Sequence, residues 1–224
     1  MHKISVIIPT YNEWSAIKEV LQSLWTREKI YEVILCDQSH QKEVEELAWE
    51  FWVTYIRWTW SNRAETMNEW ASYASWDRYC FLHADSTLPQ EAFTRLTNQD
   101  PRWFIAFPKR FTTHHRLLTP LTRVKNYRMK RLWLIQWDNA ITISRKSFQV
   151  VGWYPSMALF EDVKINSLRK KAGLPLKYWP LYTTTSSRKF IEWWVIKTIF
   201  FMIWMVVLYK VWISSQKLQK LYYK

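Results

Sequence analysis

The chain has 224 residues, 49% hydrophobic and 23% charged, the balance of one compact domain with a sizeable core. Two cysteines and an ordinary apolar fraction exclude a disulfide scaffold, a collagen-like repeat and a disordered chain. The net charge of +13 is unevenly spread: residues 1–100 hold 9 basic and 15 acidic side chains and residues 101–224 hold 23 and 4, so a half suited to a metal or a sugar precedes one suited to phosphate, nucleic acid or an anionic membrane.

In chain order, Ile4–Ile8 begins too early and is too short for a secretory segment, and reads as a buried strand. A helix over Ser15–Trp25 follows, with Ile17, Val20, Leu21 and Leu24 on one face. Next come a strand over Val33–Cys36, a helix over Glu43–Phe51, a strand over Val53–Ile56, a helix over Ala64–Ala74 and a strand over Tyr79–Leu82. This βαβ alternation predicts a mostly parallel sheet with helices on both faces, where ligands bind beyond the carboxyl ends of the strands. The polar groups at those ends are Thr10-Tyr11-Asn12-Glu13, Asp37-Gln38-Ser39 and His83-Ala84-Asp85-Ser86.

Arg102–Arg131 is basic and looser, and reads as a strand, a long loop with His114-His115, and one helix. Ala140–Ser144 resumes a strand, and Asp162–Ala172 is a helix stopped at Gly173 with Pro175 beyond. Cys36 and Cys80 fall in or at the end of apolar strands, where reduced buried thiols point to the cytosol. Trp193–Tyr209 is apolar except for Lys197 and Thr198, about 17 residues where a bilayer span needs roughly 20. With Lys210, Lys217, Lys220 and Lys224 beyond it, two readings stay open: a helix lying in a membrane interface, peripheral on the inner face, or a helix packed on the domain.

Four groups carry chemistry. Asp85, in a crevice with Glu13 and Asp37, suits a hard cation such as Mg²⁺ or Mn²⁺ held together with phosphate oxygens, although an aspartate after a strand is equally a turn residue or a helix cap. Glu161-Asp162 opens a helix, where acids cap and complement the dipole or where one of them works as a general base. Arg63 and Asn68, after Trp60-Ser61-Asn62, suit a diphosphate through a guanidinium fork and helix-end amides. Thr183–Lys189, hydroxyl-rich and then basic, suits phosphate or a surface loop.

Together these segments resemble family 2 glycosyltransferases of the GT-A fold, and within them the bacterial subgroup of rSAM/selenodomain-associated transferases. The resemblance rests on Ser5-Val6-Ile7-Ile8-Pro9-Thr10-Tyr11-Asn12-Glu13, Asn62-Arg63-Ala64 through Met67-Asn68, Phe81-Leu82-His83-Ala84-Asp85, Trp137-Asp138-Asn139-Ala140, Gly152-Trp153-Tyr154-Pro155 with Glu161-Asp162-Val163, and Thr185-Ser186-Ser187-Arg188-Lys189-Phe190. It implies a GT-A-like domain over residues 1–190 and a C-terminal helical extension over 191–224. It further implies transfer of a sugar from a nucleotide diphosphate sugar to an acceptor hydroxyl, with inversion and metal assistance. Pro9, Tyr11, Glu13 and Asp37 match positions that hold base and ribose, and Arg63 one that approaches the nucleotide. Asp85 matches the last acid of the metal motif, where His83 replaces the usual first acid. Asp162 matches the catalytic base, Glu161 its acidic neighbour, and Arg188 a residue that neutralises the leaving diphosphate. The acceptor is open between a lipid, a small molecule and a protein.

The composition departs from this pattern in one respect. Average usage of about 7% predicts roughly 16 glycines, yet there are 2, beside 17 tryptophans. Trp14, Trp60, Trp70, Trp76, Trp137 and Trp153 stand where the family commonly has glycine, at turns that need positive φ or a side-chain-free approach to phosphate. The expectation is that many of these tryptophans are glycine in the living protein, from a bacterial lineage reading UGA as glycine. A genuinely tryptophan-rich or deliberately altered chain is the alternative. Three other functions compete with glycosyl transfer: a nucleotidyltransferase of similar fold, which lacks a glycine-rich phosphate loop here; a nucleic-acid-binding module, which does not call for an acidic first half; and a non-catalytic membrane scaffold. No specific nucleic-acid partner is expected.

Overall fold

The computed structural model describes residues 2–25, 30–39, 42–57, 63–113, 116, 118–132, 139–157, 159–188, 195–211 and 213–222. The alternation of the first half is realised as β1 (Ile4–Thr10), α1 (Trp14–Trp25), β2 (Ile30–Asp37), α2 (Lys42–Glu50), β3 (Thr54–Arg57), α3 (Arg63–Tyr73) and β4 (Arg78–Phe81). Then come β5 (Ser86–Thr87), α4 (Gln90–Leu96), β6 (Phe104–Ala106), β7 (Lys109–Phe111), α5 (Leu118–Leu132), β8 (Ile141–Ser144) and α6 (Arg145–Val150). The chain closes with α7 (Glu161–Lys171), β9 (Leu176–Tyr178), β10 (Thr183–Thr185), α8 (Val195–Lys210) and α9 (Ser215–Tyr222).

A seven-stranded sheet has the order β3-β2-β1-β4-β8-β6-β9, parallel except for β8, which runs against both neighbours. A small sheet, β5-β10-β7, stands beside it. The two-residue period of β1 decides how helices cover the main sheet. Ile4, Val6 and Ile8 enter one core with α1, α2 and α4 residues such as Val20, Val44 and Phe93. Ile7 enters the other core, with Met67 and Trp70 of α3, Phe148 of α6 and Ile165 of α7. Each such fully buried side chain contributes about 1.5–3 kcal/mol. Cys36 and Cys80 are free thiols inside these cores, and burial pushes the Cys80 thiol up to about 12.

The region read as one strand, a loop and a helix holds two strands, β6 and β7. The second is three residues with two cations and no alternating pattern, and it is defined by pairing with β10. His114-His115 lie outside the described residues.

Three helices end in the same way. After α7 the Leu174 amide donates to Arg169 O (3.1 Å) and the Gly173 amide to Lys170 O (3.1 Å), with Gly173 at φ +66. After α6 the Trp153 amide donates to Phe148 O (3.1 Å) and the Gly152 amide to Gln149 O (3.0 Å), with Gly152 at φ +77. Both are Schellman closures with glycine at the left-handed position. After α2 the Val53 amide donates to Ala48 O (3.0 Å) and the Trp52 amide to Trp49 O (3.2 Å), but the left-handed residue is Trp52, at φ +52 and 88% exposed. The two glycines of the chain thus occupy two of these three equivalent positions, and a tryptophan holds the third.

Candidate active site

The sheet order reverses direction between β1 and β4, which makes the carboxyl ends of those two strands the crevice where such folds bind ligands. Thr10 and Asp37 end β1 and β2 side by side, paired in register. Beyond β1 the chain turns through Asn12 at φ +54, and Glu13 accepts the first amides of α1, from Ala16 and Ile17, through its carbonyl. Pro9 lies in β1 opposite Cys36, and the Tyr11 side chain is exposed at the rim.

Asp37 is wholly buried. Its Oδ1 accepts from the Ser39 amide (2.9 Å) and hydroxyl (2.6 Å), and its Oδ2 from the Tyr55 hydroxyl (3.1 Å). Burial, and then the Asp37 charge, push the Tyr55 phenol up to about 12. The Asp-x-Ser turn was readable from sequence spacing; Tyr55, 18 residues on, was not.

Asp85 follows β4 with its side chain 16% exposed. Its carboxylate accepts from the Ser86 hydroxyl (3.0 Å) and lies 3.7 Å from His83 Nδ1, while its carbonyl accepts from the Ser186 amide (3.0 Å). That last bond ties the metal-motif position to the segment after β10. Arg188, on the same segment, reaches back to the start of α1: its Nη2 bonds Glu13 Oε2 (2.8 Å) and its Nη1 the Ser15 hydroxyl (2.8 Å). The segment after β10 therefore links the backbone of Asp85 to the Glu13–Arg188 pair.

Glu161 and Asp162 open α7 after Phe160, which is itself left-handed at φ +67. Backbone strain of this kind costs on the order of 1–3 kcal/mol and collects at functional sites. Glu161 is buried, while Asp162 is half-buried, its Oδ1 accepting from the Val163 amide (2.7 Å). The segment before α7 is held to the same end of the sheet by Tyr154, whose ring meets Phe81 of β4 edge-on at 5.4 Å. Asn68 fixes that turn, donating to Tyr154 O (2.7 Å) and accepting from Tyr154 N (2.8 Å). Asn68 thus clamps α3 to the turn, and one N–H of its amide is left for the diphosphate contact expected of it. Arg63 is the first residue of α3, and its side chain lies outside the described residues, as do Trp60, Trp137, Asp138, Lys189 and Phe190.

Sequence reasoning missed two residues that frame Asp162. Phe160 and Tyr209 of α8 stack at 4.3 Å and 24°, and burial, followed by the Asp162 charge, raises the Tyr209 phenol. Nothing in a 16-residue apolar helix marks one tyrosine as the neighbour of an acid 47 positions earlier.

Residues 5–141 match the family model described as glycosyl transferase family 2. The chain belongs to that family. Solved structures with the same fold include a mannosyltransferase from Pyrobaculum calidifontis in complex with GDP-Man and Mn²⁺, at TM-score 0.65 and 18% identity over 82% of this chain and 56% of that one. S. aureus TarS is similar at TM-score 0.61 and 16% identity, over 85% of this chain and 38% of that one. TarS 1–349 in complex with UDP-GlcNAc gives TM-score 0.62 and 13% identity, over 82% and 58%. The family 2 chain thus spans about two fifths to three fifths of the length of these structures. No curated protein matches it in sequence. The α/β architecture, a mostly parallel sheet flanked by helices, is that of these GT-A neighbours.

No group of three or more His, Cys, Asp and Glu side chains able to hold a metal occurs among the described residues. Asp85 offers one hard carboxylate suited to Mg²⁺ or Mn²⁺ and His83 one imidazole of intermediate softness, together too few to fill such an ion's shell. The donor set fits a cation that is also bound by substrate phosphates.

Proposed function

We propose that the chain transfers a sugar from a nucleotide diphosphate sugar to an acceptor hydroxyl, with inversion. Residues 1–190 would form the transferase unit and 191–224 its extension. The observation that carries this reading is the segment after β10, which bonds the Asp85 backbone and carries Arg188 to Glu13 beside the β1/β4 switch point in a family 2 chain. Pro9, Tyr11, Glu13 and Asp37 hold base and ribose, with the Asp37 carboxylate oriented by Ser39 and Tyr55. Asp162 accepts the proton of the attacking hydroxyl as its oxygen bonds to the anomeric carbon and the bond to the diphosphate breaks. Glu161, buried beside it, orients the start of α7. Arg188, exchanging Glu13 for the diphosphate, balances the charge of the leaving group. Mg²⁺ or Mn²⁺ held at Asp85 would supply Lewis-acid stabilisation of that charge.

A thermal-shift screen of nucleoside diphosphates and nucleotide sugars with Mn²⁺ or Mg²⁺ tests the reading. A ligand at a hundredfold excess over Kd adds about 2.7 kcal/mol, which raises Tm by several degrees. Absence of any shift, together with no nucleoside diphosphate released in the presence of candidate acceptors, would overturn it.

The tail supports a peripheral membrane contact. Among the described residues no helix is long and apolar enough to cross a membrane, yet α8 exposes Phe200 (69%), Ile203 and Trp204, and α9 buries Leu218 while exposing Lys217 and Lys220. Losing both cations in Lys217→Ala with Lys220→Ala removes about 2 kcal/mol of attraction to an anionic surface, roughly 30-fold in partition. Co-sedimentation with anionic and neutral vesicles measures it, and equal binding to both would end the idea.

The subgroup likeness and the glycine reading belong to the same proposal. Trp52 and Trp153 (φ +68) hold left-handed backbones that favour glycine, whereas Trp70, wholly buried in the core, fills space that glycine would leave empty. The backbone supports the reading at Trp52 and Trp153. Trp52→Gly is expected to stabilise by about 1 kcal/mol, or 2–4 °C in Tm, because the left-handed penalty outweighs the entropy glycine adds to the unfolded chain. Loss of stability in that variant, or UGG codons at these turns, would refute it.

A further inference from the structure

A cavity of about 410 Å³ opens between β7, β10 and the first half of α5. Its wall holds Lys109, Arg110 and Arg123, five threonines and Asn126, and no acidic residue among the described residues lines it. Lys109 is only 5% exposed, its Nζ 4.6 Å from the centre of the Phe111 ring. The frame is built: Asn126 accepts from Lys109 N (2.9 Å) and donates to Lys109 O (2.8 Å), fastening α5 along the outer edge of β7. Arg110 Nε bonds the Thr184 hydroxyl across the sheet (2.8 Å). The cavity is near the site described above. β10 pairs Thr185 with Ser86 and Thr184 with Arg110, so Arg110 lies two strand spacings, roughly 10 Å, from the strand that follows Asp85.

Arg110 and Arg123 beside a row of hydroxyls, with no carboxylate among the described residues of the wall, produce a positive potential that a dianion relieves. Guanidinium groups engage phosphate oxygens through paired donors, and threonine hydroxyls donate to the rest. The volume exceeds what a bare phosphate needs, leaving room for a small polyol against Phe111 and Tyr182. Ile199 of α8 packs on Leu118 at the same wall, so the apolar tail helix borders it.

We propose that this cavity binds the phosphate monoester of a phosphorylated polyol, free or as a lipid headgroup, and that this compound is the acceptor. The acceptor role rests on the glycosyl-transfer reading; the anion site does not. The phosphate is an anchor and is unchanged, while a separate hydroxyl of the polyol bonds to the anomeric carbon and gives its proton to Asp162 as the anomeric bond to the diphosphate breaks and the nucleoside diphosphate leaves.

The test uses the full chain and calorimetric titration with glucose 6-phosphate, glycerol 3-phosphate, their unphosphorylated counterparts, and phosphatidylinositol 4-phosphate vesicles. The expected result is saturable binding of a phosphorylated probe at least tenfold tighter than its neutral counterpart. Arg110→Ala with Arg123→Ala weakens it at least tenfold, Arg110→Lys with Arg123→Lys retains part of it, and binding of nucleoside diphosphate with Mn²⁺ is unchanged in both. Binding confined to the vesicles, with the same arginine dependence, assigns the lipid source; binding of the soluble esters assigns the free one. Equal affinity for neutral and phosphorylated probes, or unchanged affinity in the double alanine variant, overturns the inference. If nucleoside diphosphates bind and phosphorylated polyols do not, the cavity inference fails alone. If only the phosphorylated polyols bind, the glycosyl-transfer reading fails instead.

Discussion

Asp162→Asn is expected to lower glycosyl transfer by about 10²- to 10⁴-fold, the range a positioned general base supplies, and to leave nucleotide binding intact. The amide keeps the side-chain oxygen that accepts from the Val163 amide (2.7 Å), so the first turn of α7 and the Phe160–Tyr209 stack survive the change. What is lost is the ability to take a proton. Single-turnover measurement of nucleoside diphosphate release, beside a binding titration of the donor, separates the two effects. Turnover within a few fold of the parent would remove Asp162 from the mechanism and leave Glu161 as the acid to examine, although its burial gives an acceptor poor access.

The second large effect belongs to Asp85. Asp85→Asn is expected to weaken nucleoside diphosphate binding in Mn²⁺ by on the order of 10²- to 10³-fold, and to abolish the difference between Mn²⁺ and chelator, because Lewis-acid contributions are several kcal/mol. The reason lies in the sparse donor set: with His83 in place of an acid and no cluster of three ligands among the described residues, Asp85 supplies the only carboxylate of the motif. The fold tolerates the change, since the backbone carbonyl, not the carboxylate, accepts from the Ser186 amide. Affinity that is the same with chelator as with Mn²⁺ in the parent protein would show that the donor binds without a cation.

Much of this site was legible because its residues lie at strand ends. Asp37 and Asp85 each follow a buried apolar run, and the alternation of those runs with amphipathic stretches fixes which end of the sheet they occupy. Glu161-Asp162 was legible as a helix start, and Gly173 as its end, because capping is a local matter of a few backbone groups. The partners of these residues were not legible. Tyr55 on Asp37, Ser15 on Arg188 and Tyr209 beside Asp162 are contacts across 18, 173 and 47 positions, and no periodicity encodes them. The two bonds of Asn68 to the Tyr154 backbone, 86 positions on, are of the same kind.

The sequence by itself determined the layered α/β architecture, the order of the first seven elements, the division of charge and the acids at the strand ends, because each follows from residue type and short-range period. It also exposed the glycine deficit, though not its sharpest instance, since Trp52 becomes anomalous only once α2 is seen to close on a left-handed backbone. Tertiary structure alone decided the small sheet. Its strands are two or three residues long, too short to carry a pattern, and each exists only through the neighbours it pairs with. That sheet brings Asp85, Arg188 and the cationic cavity together, because hydrogen bonding between strands joins positions that the chain keeps a hundred residues apart.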